Sequence, residues 1–197
     1  MIPLGILAAA GGAVAAAGSY DLLATEILTS GQSSITFASL GDYAADYQHL
    51  QIRATIRTNR SSYENSESSF RFNADTGTNY ANHFLRGMGS SGLLAYGAAS
   101  TSSISISDGT PASNTASNIF ASVVIDILDA FNSSKYTTTR ALYGNAASVY
   151  FGSGDIRISS GLWQNTDSIT SITFMDRQSS TYVTDCRFSL YGIRKAA

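Results

Sequence analysis

Cysteine is nearly absent from this chain: Cys186 is the only one in 197 residues. That excludes an internal disulfide framework and any zinc site built from several thiolates. With no His or Lys beside it to activate the thiol, Cys186 reads as a small buried hydrophobe. Charge is scarce too. Asp, Glu, Lys and Arg make up 13% of the residues, about half the usual quarter, and Ser, Thr, Asn and Gly take their place. A net charge of -2 supplies no clustered Lys and Arg for phosphate contacts, which argues against nucleic acid as a partner. His49 and His83 are the only imidazoles, and neither stands in a Glu-x-x-His or His-x-His spacing. Pro3 and Pro111 are the only prolines, and no amphipathic helical period interrupts the strand-like pattern.

What is present is a succession of short β-patterns around one long apolar run. In Ile119 to Ala130, Val123, Ile125 and Ile127 share one face at period two, while Val124 and Leu128 keep the other face apolar around Asp126. β-Branched residues dominate, and Asn114, Asn118 and Asn132-Ser133-Ser134 bracket the run. This predicts a central strand covered on both faces. The cleanest alternation lies in His49 to Thr58, where Leu50, Ile52, Ala54 and Ile56 oppose Gln51, Arg53, Thr55 and Arg57. It predicts a half-buried antiparallel strand.

Ala24–Leu28 and Ser34–Phe37 flank Ser30-Gly31-Gln32-Ser33 and read as a hairpin. Further strands are expected around Phe70 and Phe72, His83–Met88, Ser100–Ser107, Thr137–Tyr143, Ile156–Trp163, Ser168–Met175 and Cys186–Ile193. Gly87–Gly92 reads as a Gly/Ser turn. Ten or eleven short strands, with no repeat of fixed period, predict an all-β antiparallel β-sandwich. An even, jelly-roll-like pair of sheets is the favoured form. The expected organisation is an extended apolar leader over 1–19 followed by one β-sandwich domain over 20–197.

The leader, Met1 to Gly18, contains no charged side chain. A secretory signal wants a basic residue ahead of its apolar core, and a membrane span wants about 20 strongly apolar residues. The stretch has neither, so membrane insertion is not expected. It reads instead as a docking peptide, with Ile2, Leu4, Ile6 and Leu7 as anchors for a partner protein.

Catalytic motifs fail one by one. Asp75-Thr76-Gly77 matches the short aspartic-protease signature, but its lead-in is Phe72-Asn73-Ala74 and a turn is the simpler reading. Gly152-Ser153-Gly154-Asp155 lacks the Lys and helix of a phosphate loop. No Ser lies in a Gly-x-Ser-x-Gly elbow. Asp126 and Asp129 are candidate paired acids in principle, although Asp126 is better explained by a bond to a backbone group or to an arginine such as Arg140. No catalytic residue, cofactor or metal is expected. Trp163 reads as core, whereas Tyr63, Tyr80, Tyr96 and Tyr150 fall in or near expected loops and are candidate receptor contacts, since exposed aromatics stack on sugars.

Several phrases carry a family resemblance. Tyr47-Gln48-His49-Leu50-Gln51-Ile52-Arg53, Phe70-Arg71-Phe72-Asn73 with Gly77 and Tyr80, Val124-Ile125-Asp126-Ile127-Leu128-Asp129, Ser160-Gly161-Leu162-Trp163 and the closing Arg187-Phe188-Ser189-Leu190-Tyr191-Gly192-Ile193 resemble a family of small structural proteins of tailed bacteriophages. The resemblance spans most of 20–194. It implies a non-enzymatic virion protein, expected as a tail-fibre or adhesin module docked to other virion proteins through its leader and recognising a host-surface glycan or protein. A homo-oligomer, by analogy a trimer, is expected. A capsid decoration or head-fibre protein is the alternative, and a surface-glycan depolymerase a second.

Overall fold

The computed structural model describes residues 19–89, 92–146 and 154–195. The expected anchors Ile2, Leu4, Ile6 and Leu7, and the candidate contact Tyr150, lie outside the described residues. Twelve strands follow one another: β1 (Tyr20–Ile27), β2 (Ser34–Phe37), β3 (Tyr47–Ile56), β4 (Asn65–Phe72), β5 (Tyr80–Met88) and β6 (Gly92–Thr101). They continue as β7 (Ile104–Pro111), β8 (Ala121–Leu128), β9 (Thr137–Asn145), β10 (Asp155–Trp163), β11 (Ile172–Asp176) and β12 (Arg187–Arg194). A 3-10 turn, Leu40–Tyr43, lies between β2 and β3.

The strands form two antiparallel sheets, an eight-stranded one in the order β1-β12-β3-β8-β9-β10-β5-β6 and a four-stranded one in the order β2-β11-β4-β7. Setting β5, β6, β9 and β10 aside leaves β1-β12-β3-β8 facing β2-β11-β4-β7. In chain order these are the first, eighth, third and sixth strands opposite the second, seventh, fourth and fifth, the double Greek key of a jelly roll. The sheets are therefore not even. Two hairpins, β5–β6 and β9–β10, are inserted into the jelly roll, and both extend the same sheet beyond β8.

The expected hairpin of Ala24–Leu28 with Ser34–Phe37 does not form: β1 pairs with β12 and β2 with β11. The segment between them crosses from one sheet to the other beside the β11–β12 connection. Leu28 N–H donates to the Cys186 carbonyl, and Gln32 and Tyr182 exchange backbone bonds. A Gly-containing loop serves a Greek-key arch as well as a hairpin, and the buried Leu28 holds the arch down.

The core lies between the sheets. Leu50, Ile52, Ala54 and Ile56 of β3 and Val123, Ile125 and Ile127 of β8 point inward and are buried, as the alternations predict. From the small sheet, Phe70, Phe72 and Phe174 meet Phe188 and Trp163 in a chain of ring contacts, with centroids 5.2 to 5.8 Å apart. Each such side chain, when fully buried, contributes about 1.5–3 kcal/mol. Trp163 is core, as expected, and Cys186 is buried with its thiol between the backbone groups of Arg57. Among the described residues nothing covers the second face of β8: Leu128 is exposed and Val124 half-buried.

Candidate functional site: a cleft beneath the inserted strands

The inserted hairpins reverse the usual polarity of a strand. In β10, Ile156 and Ile158 are exposed whereas Arg157 is buried; in β5, Leu85 is exposed whereas Arg86 is buried. The reason is the neighbour on the inner side. Beyond the hydrophobic core these strands face β7, the polar edge of the small sheet, whose Asp108 accepts from Arg86 Nη1 and Arg157 Nη1, each at 3.0 Å. Arg86 also grips Asp155 through Nε and Nη2 at 2.9 and 2.8 Å. Two guanidinium groups and two carboxylates thus balance in charge, which makes their burial tolerable. Burial pushes the Arg86 guanidinium down, but the Asp155 and Asp108 carboxylates outweigh it and hold the group above its ordinary value. For Arg157 burial wins, and its value is lowered. The Tyr143 hydroxyl donates to the Gly109 carbonyl at 2.6 Å and closes the inner end of this network.

β5 and β6 run past β7 and leave a cleft of about 410 Å³ beneath them. Phe84 and Tyr96 form one wall, their rings tilted at 46° with centroids 5.5 Å apart. The Arg157 guanidinium lies 3.5 Å from the Phe84 centroid, and its Nε–H has no hydrogen-bond partner. The opposite wall carries Ser105 and Asp108, and the Glu67–Arg177 ion pair, at 3.7 Å, stands on the rim. Asn82 fixes the floor: its amide donates to Thr101 Oγ1 and the Ser103 carbonyl and accepts from Ser105 N–H. An apolar ring wall opposite hydroxyl, amide and carboxylate groups suits a ligand with one flat apolar face and many hydroxyls.

Of the four tyrosines singled out from the sequence, Tyr96 is 56% exposed and lines this cleft. Tyr63 is 52% exposed and lies elsewhere, under the Arg60 guanidinium at 3.7 Å from its ring centroid. Tyr80 is not a surface residue. It is fully buried, stacked near Trp163, and its hydroxyl donates to the Phe72 and Asp75 carbonyls. Burial pushes its phenol up to about 12. A tyrosine beside a turn looks exposed in sequence, but this one turns under the sheet.

The other motifs resolve into structure. Asp75 is a turn residue: Oδ1 accepts from Gly77 N–H at 2.8 Å, and Oδ2 accepts from Asn79 Nδ2 and Trp163 Nε1 at 2.8 and 2.7 Å. Asp126 pairs with Arg140 at 2.7 Å, as expected, and Asp129 pairs with Lys135. Asp155 serves Arg86 rather than a phosphate. Among the described residues no group of three or more His, Cys, Asp or Glu side chains could hold a metal ion, and no helix is long and apolar enough to cross a membrane. Sequence reasoning missed Phe84, Arg157, Asp108, Glu67 and Arg177. The signal for Arg157 was present in the alternation of Ile156 and Ile158 around a charge. Neither a protein-family model nor a curated protein matches this chain.

Proposed function

We propose that the chain is a non-enzymatic virion structural protein of a tailed bacteriophage, a tail-fibre or adhesin module that binds a host-surface glycan in the cleft beneath β5 and β6. The observation that carries the glycan is the Phe84–Tyr96 wall facing Asn82, Ser105 and Asp108. A sugar ring stacks its C–H face on an aromatic while its hydroxyls bond to amide and carboxylate groups. The virion setting rests on the sequence resemblance and agrees with a low-charge jelly-roll body, an architecture common to capsid and lectin domains. Docking to other virion proteins through Ile2, Leu4, Ile6 and Leu7 belongs to the same reading.

Cleavage of the glycan fits less well. The two carboxylates lining the cleft, Glu67 and Asp108, each face arginine, whereas a glycosidase needs one carboxyl kept protonated by an apolar setting. The capsid-decoration alternative is favoured by a different feature, the exposed aliphatics on the outer face of β9, β10, β5 and β6, because decoration proteins are held by contacts across a lattice.

The test is binding of the purified full chain to surface polysaccharide from a susceptible bacterium, measured by titration calorimetry. Tyr96→Ala is expected to weaken binding about tenfold or more, and Tyr63→Ala to leave it unchanged. Binding indifferent to Tyr96, or none, sinks the adhesin site. Labelling on intact particles separates tail from capsid lattice, and release of reducing ends would establish the depolymerase instead.

A further inference from the structure

The outer face of the large sheet is divided in two. Over β12 and β3 it is polar and over β1 mixed: Thr25, Ser189, Gln51 and Arg53 lie in adjacent register positions, with Arg53 5.3 Å from both the Tyr20 and Tyr191 ring centroids, while Leu22 and Ile27 are exposed beside Tyr191 and Arg187. From β8 onward it turns apolar. Val124, Leu142, Ile158, Leu85 and Ala95 occupy one continuous register row across five strands. The next row adds Ile156 and Leu93. Leu142, Leu85, Ile158, Ile156 and Leu93 are exposed by 50, 53, 55, 59 and 82%. A run of aligned exposed aliphatics is not the scatter that ordinary surfaces show.

The free edge of the same region points the same way. Sheets guard their edges with charge, proline, bulges or shortness. Edge β1 carries Asp21, Glu26 and a bulge at Leu22/Ala24. Edge β2 has only four residues. Edge β7 carries Asp108 and Pro111 and is bulged against β4. Edge β6 is ten residues, Gly-Leu-Leu-Ala-Tyr-Gly-Ala-Ala-Ser-Thr, with neither charge nor proline, and its one register shift lies at its Thr101 end.

We propose that the outer face of β8, β9, β10, β5 and β6, together with the β6 edge, is buried against a second copy of this chain. Size favours this occupant. Five strands about 4.8 Å apart and some 30 Å long present about 700 Å², close to the roughly 800 Å² per partner of a standard stable interface. Charge favours it too. The outward charged pair in this region, Asp126 and Arg140, is internally neutralised at 2.7 Å, so the face meets its own copy without like-charge repulsion. Shape is compatible: the Leu142–Ile158–Leu85 ridge is flanked by shallow depressions of about 690 and 480 Å³. The first lies at Gly87 and Gly144, a small-residue groove that a ridge can enter; the second lies at Ser160, with the His83 ring lying across Gly97. Four of its five strands belong to the two hairpins that the jelly roll does not need. The inference stands apart from the glycan reading, because the cleft opens on the inner side of β5 and β6.

The experiment is sedimentation of the full chain over a micromolar concentration series. The wild type is expected to associate. Ile158→Glu and Leu85→Glu are each expected to weaken association about a hundredfold or more with the circular-dichroism spectrum unchanged, while Leu22→Glu, on β1, leaves it intact. Cross-linking provides a second readout that does not depend on a charged variant folding. With Cys186 buried, Ile158→Cys carries one reactive thiol and should yield bismaleimide-linked multimers, whereas Leu22→Cys should not. A monomeric wild type would assign the face to another protein and overturn the inference. So would association that survives both glutamate variants, or Ile158→Cys that stays uncross-linked while the chain remains associated.

Discussion

Arg86 and Asp155 meet through two parallel hydrogen bonds, 2.9 Å from Nε and 2.8 Å from Nη2, with both side chains almost wholly out of solvent. The pair ties β5 to β10 within the inserted part of the sheet. A bidentate geometry fixes both strands, and the low dielectric makes either partner costly to remove. Asp155→Ala is therefore expected to lose about 3 kcal/mol, because Arg86 loses its bidentate partner in a buried setting while Asp108 still faces Nη1. Replacing both, Arg86→Met with Asp155→Leu, is expected to recover most of that loss. Urea unfolding of the single and double variants measures both effects. If Asp155→Ala costs under about 1 kcal/mol, the buried pair is not holding the strands.

Gly161 sits where β10 packs against Ile104 of the small sheet. A Cβ there would stand 2.6 Å from Ile104 Cγ2 and 2.6 Å from Thr139 Oγ1. Neither neighbour can withdraw, since Ile104 is buried and Thr139 lies in the adjoining strand. Overpacking of this kind costs about 1–3 kcal/mol. Gly161→Ala is expected to lower the thermal midpoint accordingly, and adding Ile104→Val, which removes Cδ1 but keeps the clashing Cγ2, should restore little of it. Gly41, with open space around its Cβ position, is the control, and Gly41→Ala should change little.

The strands of the jelly roll were legible wherever one face is buried. Leu50, Ile52, Ala54 and Ile56 alternate because the core removes them from water, and that period survives in sequence. Their pairing was not legible, since β1 and β2 are neighbours in the chain but belong to different sheets. β6 escaped as a strand because neither of its faces is buried among the described residues, so Gly92 to Thr101 shows no alternation to read. The same fact hid the candidate site. Tyr96 was found by residue type alone, whereas Phe84 and Arg157 lie on inward positions that become a cleft only after β5 and β6 overshoot β7. Val124 and Leu128 kept β8 apolar on its second face, and that pattern predicted a cover that the described residues do not supply.

Cys186 provides a probe of global opening. Burial pushes its thiol up, and it donates to the Arg57 carbonyl at 3.2 Å. A buried protonated thiol is a poor nucleophile. The native protein is expected to react with an alkylating reagent only as fast as it unfolds, with labelling accelerating across the urea transition measured by circular dichroism. Labelling that runs well ahead of that transition would show that the β12 end opens locally.

Acid should loosen the turn that carries Asp75. Burial raises this carboxyl, but the Trp163 indole, the Asn79 amide, Gly77 N–H and the Arg71 charge outweigh it, and its value falls below the ordinary carboxylate range. A carboxyl depressed on folding stabilises the native state above its unfolded value, about 4, and loses that contribution as pH falls through the folded value. Stability is therefore expected to be level from neutral pH to about 5 and to decline below about 4. Asp75→Asn should be less stable at neutral pH, by about 1–3 kcal/mol for weakened bonds to Trp163 and Gly77, and should show a shallower acid decline. The decline remains because Asp129, held low chiefly by hydrogen bonds from Lys135 and Gln48, titrates with the same sign. Urea midpoints for both proteins between pH 2 and 7 give the comparison. Parallel acid slopes would mean that the Trp163–Asp75 bond does not discriminate between the charged and the neutral carboxyl.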